Sequence, residues 1–553
     1  MTHPLIPAPR SVRYDDGAPL ALSAATTLSA DPELAGARRA LATRLGAATG
    51  WDLLPPLDGE ACIRLRHDVS LTSGSGLLQE EDYRLSCDGE QVVISAAGES
   101  GAFHGVQTLL QLLGASAFRQ APDPVALWEV PRLRIEDGPR FGYRGVMLDV
   151  ARHFMPKDAL LRFIEALAVH RFNVLHLHLS DDQGWRVEIK AFPELTRVGS
   201  WRPRSSRGDW RAGLWEDTPH GGFYTQEDLR EIVAFAADRH VTVIPEIDVP
   251  GHSQAAIAAY PWLGGLEDSS GVWERWGINP TVLAPTERTL DFYRTVLDEI
   301  MGLFPGPWIS LGGDEVPLDQ WAGSPEDTAR ARELGFDGVA GLHSWFIGQL
   351  AGHLRDHGRR TAVWDEIGDG ELPDGALVHS WRGYEGGLDA LARGYDVVMC
   401  PEKEVYLDYP QSDSADEPVP VGSVTTLEKV YAFEPLPPGS DGATGGRLLG
   451  AQGNLWTEHL DSPRRVQFAA FPRLCALAEV LWSPAEERDL PDFLRRLEVD
   501  HLPRLEALGI EFRPLSGPAP WQRRPGVPGR MHAPGHLAGV AQPADSHPDE
   551  ATA

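Results

Sequence analysis

The sequence predicts an α/β fold: a (β/α)8 TIM barrel, somewhat irregular, preceded by a small α+β domain. Two observations carry that prediction. Between about residues 139 and 515 the chain holds eight short apolar runs, with helical patterns between several of them. Each run also delivers a polar or aromatic residue at its C-terminal end, where barrels of this class keep their chemistry. A chance distribution would scatter such residues over both ends.

The first region, residues 1–138, mixes short alternating strands with amphipathic helices. DYRLSCDGEQVVISAA reads as two strands joined by a DG turn, ELAGARRALATRLGAATG as a helix ended by Gly50, and GAFHGVQTLLQLLG as a helix ended by Gly114. Strands with separate helices imply an α+β unit. VPRLRIEDGPRFGYRG reads as the linker out of it.

In the barrel region, residues 139–515, the strand candidates are YRGVMLDV, FNVLHLHLS, VTVIPEID, WISLGG, RTAVWDE, ALVHSW, YDVVMC and LLGAQGNLW. KDALLRFIEALAVHR and TQEDLREIVAFAADRH read as helices, the second opening with Thr225 and Asp228 in capping-box spacing. The fifth and sixth runs are too close for a full helix, so irregularity is expected there. Residues 516–553 are rich in Pro, Gly and His without periodicity, and a disordered tail is expected.

With 553 residues, 42% hydrophobic and 24% charged, the chain is long enough for two or three folded domains. Its formal charge of −30 argues against nucleic acid or an anionic membrane surface as partner. Cys62, Cys87, Cys400 and Cys475 are widely spaced, matching neither a zinc knuckle nor a disulfide scaffold. The start shows no basic segment followed by an apolar run, and no apolar stretch is long enough to span a bilayer. A cytoplasmic protein is expected, unless a wrongly assigned start codon hides an export signal.

The strand ends supply Asp149 and Arg152, Asp181 and Asp182, Asp248 and His252, Asp314 and Glu315, Trp364, Trp381, Tyr406 and Asp408, and Trp456 and Glu458. Carboxylates and an arginine bind sugar hydroxyls, and indoles stack on the apolar faces of pyranose rings. A single tryptophan at a strand end is more often core than platform; three converging on one mouth point to a ligand. The adjacent acids Asp314 and Glu315 are unusual, because two-carboxylate glycoside cleavage needs a separation of about 5–9 Å that chain neighbours do not ordinarily provide. A rival reading is a metal-dependent hydrolase: His176 and His178 share one face of a strand and could join Asp314 around a metal. Histidines hydrogen-bonded within the barrel are the more frequent arrangement.

DVARHF, HLHLSDDQGWR, PEIDVPGH, GGDE, VWDE, YLD and GNLWTE, in this order, resemble glycoside hydrolase family 20, the β-N-acetylhexosaminidases, over roughly residues 5–515. The resemblance implies a retaining, exo-acting enzyme on terminal β-linked GlcNAc or GalNAc, in which the substrate's own acetamide attacks the anomeric carbon. It implies Glu315 as general acid/base, Asp314 and Tyr406 as partners of the acetamido group, and Asp181 and His252 as support for Glu315. Trp364, Trp381 and Trp456 would wall the acetyl methyl, while Arg152, Asp408 and Glu458 would bind ring hydroxyls. It implies no metal or cofactor, and leaves Asp182 and Asp248 structural and His176 and His178 as barrel lining. The insertion RPRSSRGDWRAGLWEDTPHGGFY and the acidic loop QSDSADEPVPVGS are expected to border the leaving-group side.

Overall fold

The computed structural model describes residues 3–72, 80–268, 270–366, 372–436 and 446–532. Its N-terminal unit is a six-stranded sheet built from β1 (Ser11–Tyr14), β2 (Leu28–Ala30), β3 (Ile63–His67), β4 (Tyr83–Cys87), β5 (Val92–Ala96) and β6 (Leu133–Asp137). The spatial order is β1-β6-β4-β5-β3-β2. The helices α1 (Ala35–Thr49) and α2 (Glu99–Leu112) pack with it; α1 ends on Gly50 in the left-handed region, as the sequence indicates.

One expectation fails here. Leu133–Asp137, read as part of a linker, is an inner strand of this sheet, pairing antiparallel with both β1 and β4. Its alternation is regular: Leu133, Ile135 and Asp137 are buried, and Arg134 and Glu136 face solvent.

Eight parallel strands close the barrel: β7 (Tyr143–Asp149), β8 (Val174–His178), β9 (Thr242–Glu246), β10 (Trp308–Ser310), β11 (Arg360–Trp364), β12 (Leu377–Ser380), β13 (Asp396–Met399) and β14 (Leu448–Leu455). All eight fall on the predicted runs. The helices α3 (Lys157–Val169), α4 (Gln226–Ala237), α5 (Glu287–Leu303), α6 (Ala340–Asp356), α7 (Glu385–Ala392) and α8 (Arg473–Trp482) follow in sequence. Thr225 and Asp228 form the expected capping box at α4. Between β11 and β12 the described residues contain no helix.

The floor of the barrel is apolar. Tyr143, Val174, Ile244, Trp308, Ala362, Leu377 and Val398 form one buried cluster, with Leu449 packed against it, so each strand contributes one residue. The N-terminal unit docks at the same end. Arg144, at the start of β7, pairs with Glu81 at 2.7 Å, and Arg171, before β8, pairs with Asp137 at 2.6 Å. Trp482 of α8 donates its indole N–H to Asp137 at 2.9 Å. The mouth at the other end stays clear of this domain contact.

Residues 516–532, expected to begin a disordered tail, instead run back along the barrel. Gln522 is buried and donates to Glu511 at 2.6 Å and to the Phe512 carbonyl at 2.9 Å. Arg530–Met531 pairs in parallel with Val421–Gly422, and His532 lies 3.0 Å from Glu402. Residues 533–553 lie outside the described residues.

Candidate active site

Above the apolar floor the barrel interior becomes polar, and register explains how. His178 of β8 sits opposite Glu246 of β9, so the two faces meet residue for residue. Glu246 takes His176 Nε2 at 2.9 Å on one oxygen and the His178 ring on the other, and Ser310 donates to it at 2.5 Å. The far side of His178 reaches Asp181 at 2.9 Å. Gln452 lies 3.3 Å from His176 Nδ1, so every ring nitrogen of the HxH pair has a protein partner. That occupancy disfavours the pair as metal ligands. Burial opposes charge on His178, yet the hydrogen bonds its ring donates to Asp181 and Glu246 hold its pKa well above the ordinary range.

The chain of charges continues upward. Asp181 accepts Arg152 at 2.7 Å and faces His252 at 3.2 Å. His252 also faces Asp182 at 3.3 Å and Glu315 at 3.4 Å. Asp182 therefore belongs to the network, beyond the purely structural place expected for it. Burial again opposes a charged His252, but Asp181, Asp182 and Glu315 lift its pKa well above the usual value.

Asp314 and Glu315 follow β10 through a tight turn. Gly312 and Gly313 have φ of +64° and +90°, and a Cβ on Gly312 would come within 2.0 Å of Asp248 Oδ1. Only glycine meets both demands there. Asp248 in turn accepts the Gly313 N–H at 3.1 Å and shapes the turn. Glu315 itself has φ +49°, a conformation that costs a non-glycine residue roughly 1–2 kcal/mol. Its N–H donates to Glu366 Oε2 at 3.1 Å, which helps hold the peptide in this conformation.

The turn sends the two acids to different environments. Asp314 is buried, and burial together with Glu246 and Glu315 pushes its pKa up to about 6. The Glu315 side chain is 35% exposed. Four aromatic rings line the pocket beside them. Trp364 lies 5.9 Å from Trp456, Trp456 lies 6.4 Å from Tyr406, and Tyr406 stacks at 6.3 Å on Trp381. Arg152 lies over the Trp456 ring at 4.9 Å. Asp408 and Glu458 hold raised pKa values, through burial first, with the Glu458 charge adding to the effect on Asp408.

Several polar atoms here are buried without a hydrogen bond: Arg152 Nη1, Asp314 Oδ1, Asp408 Oδ1 and Trp364 Nε1. Buried polar groups ordinarily find partners, so their convergence on one mouth marks a site for a polar ligand. The structure thus gathers Arg152, Asp181, His252, Asp314, Glu315, Trp364, Trp381, Tyr406, Asp408, Trp456 and Glu458 at the C-terminal ends of the strands.

Two residues escaped the sequence reading. Glu246 lies within its strand and shows its importance only through register. Glu366 ends the run VWDE, where Trp364 drew the notice; the rule of polar residues at strand ends could have found it. Its carboxyl pKa is pushed up to about 8 by burial, then by Asp314 and Glu315. In the insertion after β8, His220 accepts the Phe154 N–H at 2.9 Å and packs on His153 at 4.9 Å, which anchors it beside the Arg152 segment.

A closed parallel barrel whose mouth joins carboxylates, an arginine and an aromatic wall has the make-up of a site for a sugar ring. The family follows from sequence: residues 141–485 match the glycosyl hydrolase family 20 catalytic domain and residues 2–138 its domain 2. The chain belongs to glycosyl hydrolase family 20. It is 42% identical over 438 residues to a β-hexosaminidase of Porphyromonas gingivalis, covering 79% of this chain and 55% of that protein. The chain thus spans about half the length of that relative. With a β-hexosaminidase of Vibrio furnissii it shares 38% identity, covering 86% of this chain and 76% of the relative. The crystal structure of the GH20 exo β-N-acetylglucosaminidase from Vibrio harveyi, in complex with N-acetylglucosamine, superposes with a TM-score of 0.80 at 33% identity. That match covers 93% of this chain and 79% of the other.

Proposed function

We propose that this protein is a retaining exo-β-N-acetylhexosaminidase that hydrolyses terminal β-linked GlcNAc or GalNAc through an oxazoline-type intermediate. One observation carries the reading: adjacent carboxylates sent to opposite environments, one buried beside an aromatic wall and one reaching the open mouth. Neighbours in the chain are poorly placed to act as an acid and a nucleophile on opposite sides of one bond. The nucleophile is then the substrate's acetamido oxygen. The complex of the Vibrio harveyi enzyme with N-acetylglucosamine supports a sugar of this kind as ligand.

In the first step the acetamido oxygen attacks the anomeric carbon as the bond to the leaving oxygen breaks. Glu315 gives its proton to that oxygen. Asp314 accepts the acetamido N–H and offsets the positive charge that develops on the ring being formed, while Tyr406 donates its hydroxyl to the acetamido oxygen and aims it. In the second step Glu315 takes a proton from water, and the hydroxide equivalent opens the intermediate at the anomeric carbon. Two inversions give net retention. These contacts strengthen as charge develops, which is what lowers a barrier.

Trp364, Trp381 and Trp456 enclose the acetyl methyl; Arg152 binds O3 and O4, Glu458 lies near O4 and Asp408 near O6. Asp181 and His252 position Glu315. The test is hydrolysis of nitrophenyl β-GlcNAc against nitrophenyl β-glucoside, in the parent and in Glu315→Gln and Asp314→Asn. Activity on the acetamido sugar alone, lost in both variants, is expected; equal activity on the glucoside would sink the mechanism.

A further inference from the structure

Glu366 is a strand-end carboxylate for which the proposed mechanism has no use. Its two oxygens go to different places: Oε2 accepts the peptide N–H of Glu315 at 3.1 Å, and Oε1 accepts the indole N–H of Trp381 at 3.0 Å. We propose that Glu366 is a positioning residue for leaving-group protonation, clamping the peptide of the general acid with one oxygen and the acetamide-pocket wall with the other.

The choice of residue type supports this. Two N–H donors arriving at the two ends of one side chain require an oxygen acceptor at each end, which a carboxyl group supplies and an amide does not. Burial makes a charge there costly, and Asp314 and Glu315 both oppose it, against the Glu315 N–H and Arg382, which favour it. A side chain needed merely to fill the space would avoid that repulsion. The peptide it holds is also the one in the left-handed region, so the clamp acts at the point where the general acid is aimed. Through Trp381 it reaches the ring stacked on Tyr406. One side chain just past β11 thereby fixes the relative placement of the acid after β10 and the wall after β12.

This inference rests on the functional reading above, so its test must separate the two. The experiment measures kcat and KM for aryl β-N-acetylglucosaminides whose leaving groups run from dinitrophenol to plain phenol, in the parent, Glu366→Gln and Trp381→Phe. Misplacing a general acid hurts substrates that need protonation most. Glu366→Gln is expected to lose about 100-fold in kcat on the phenyl glycoside, a typical general-acid contribution, and less than about 5-fold on the dinitrophenyl one. KM should move little. Trp381→Phe keeps the clamp on Glu315, so its loss should be uniform across leaving groups. A uniform loss, or parent kinetics, in folded Glu366→Gln would overturn the proposal. Should that variant not fold, a leaving-group-dependent loss in Trp381→Phe would overturn it instead. Parent enzyme inactive on every one of these glycosides would instead overturn the functional reading.

Discussion

The floor and the mouth of this barrel are made by the same eight strands yet obey opposite rules. At the floor each strand contributes one side chain to a buried hydrophobic cluster. Two residues further along β8 and β9 the inward positions are His176 and Glu246, and above them stand His178, Asp181 and His252, all buried. The floor gains from burial, roughly 25 cal/mol for each Å² of apolar surface. The mouth buries charge, which lowers stability unless every member is paired. The difference teaches where each kind of free energy is placed: stability below, preorganised electrostatics above.

The sharpest way to break the comparison is at Glu315. Glu315→Gln should lower kcat on an unactivated N-acetylglucosaminide by about 10³-fold or more, with an unchanged melting temperature. The mirror experiment is Trp308→Ala in the floor, which should cost about 3–5 kcal/mol of stability by denaturant titration and leave KM of the folded fraction near the parent value. A large KM change there would show that the two layers are not independent.

Asp314 joins both sides of the comparison. Its pKa is raised from 3.8 to about 6, chiefly by burial, so the ionised carboxylate destabilises the fold above that pH. Stability is gained as the pH falls through about 6, because the folded state then takes up a proton more readily than the unfolded chain. Asp314→Asn should accordingly be more stable than the parent at pH 7, by up to about 3 kcal/mol, while losing about 100-fold in activity. For the parent, kcat/KM should fall as the pH drops through about 6; titrating both quantities in one buffer series checks the link. The smallest effect belongs to the strap of residues 516–532. His532→Ala should cost about 1 kcal/mol, and its readout is a modest change in kcat through Glu402 and Tyr409, which joins Glu402 at 2.5 Å beside Asp408.

Much of this was legible in the sequence because parallel barrel strands are buried on both faces and read as near-continuous apolar runs. All eight were found that way, and the mouth followed from reading their ends. Leu133–Asp137 escaped because its outward Arg134 and Glu136, with Pro131 and Pro139 on either side, give it the composition of a linker. Only the pairing partners make it a strand. Residues 516–532 escaped because they are held largely by backbone pairing and single side chains, which leave no periodicity. Glu246 and Glu366 were hidden for a third reason: their roles depend on what lies opposite in the barrel, a relation between strands that no single segment contains.

The apolar floor has one more consequence, for the order of events in a catalytic cycle. With a buried hydrophobic side chain from each strand filling the far end, the sugar, leaving group and water of the proposed reaction would all pass through the mouth. In the proposed mechanism the water that opens the intermediate would follow the departing aglycone through the space it vacates. An alcohol that reaches that space first would take the glycosyl group in place of water, so added alcohols should divert product from hydrolysis to transfer without slowing the first step.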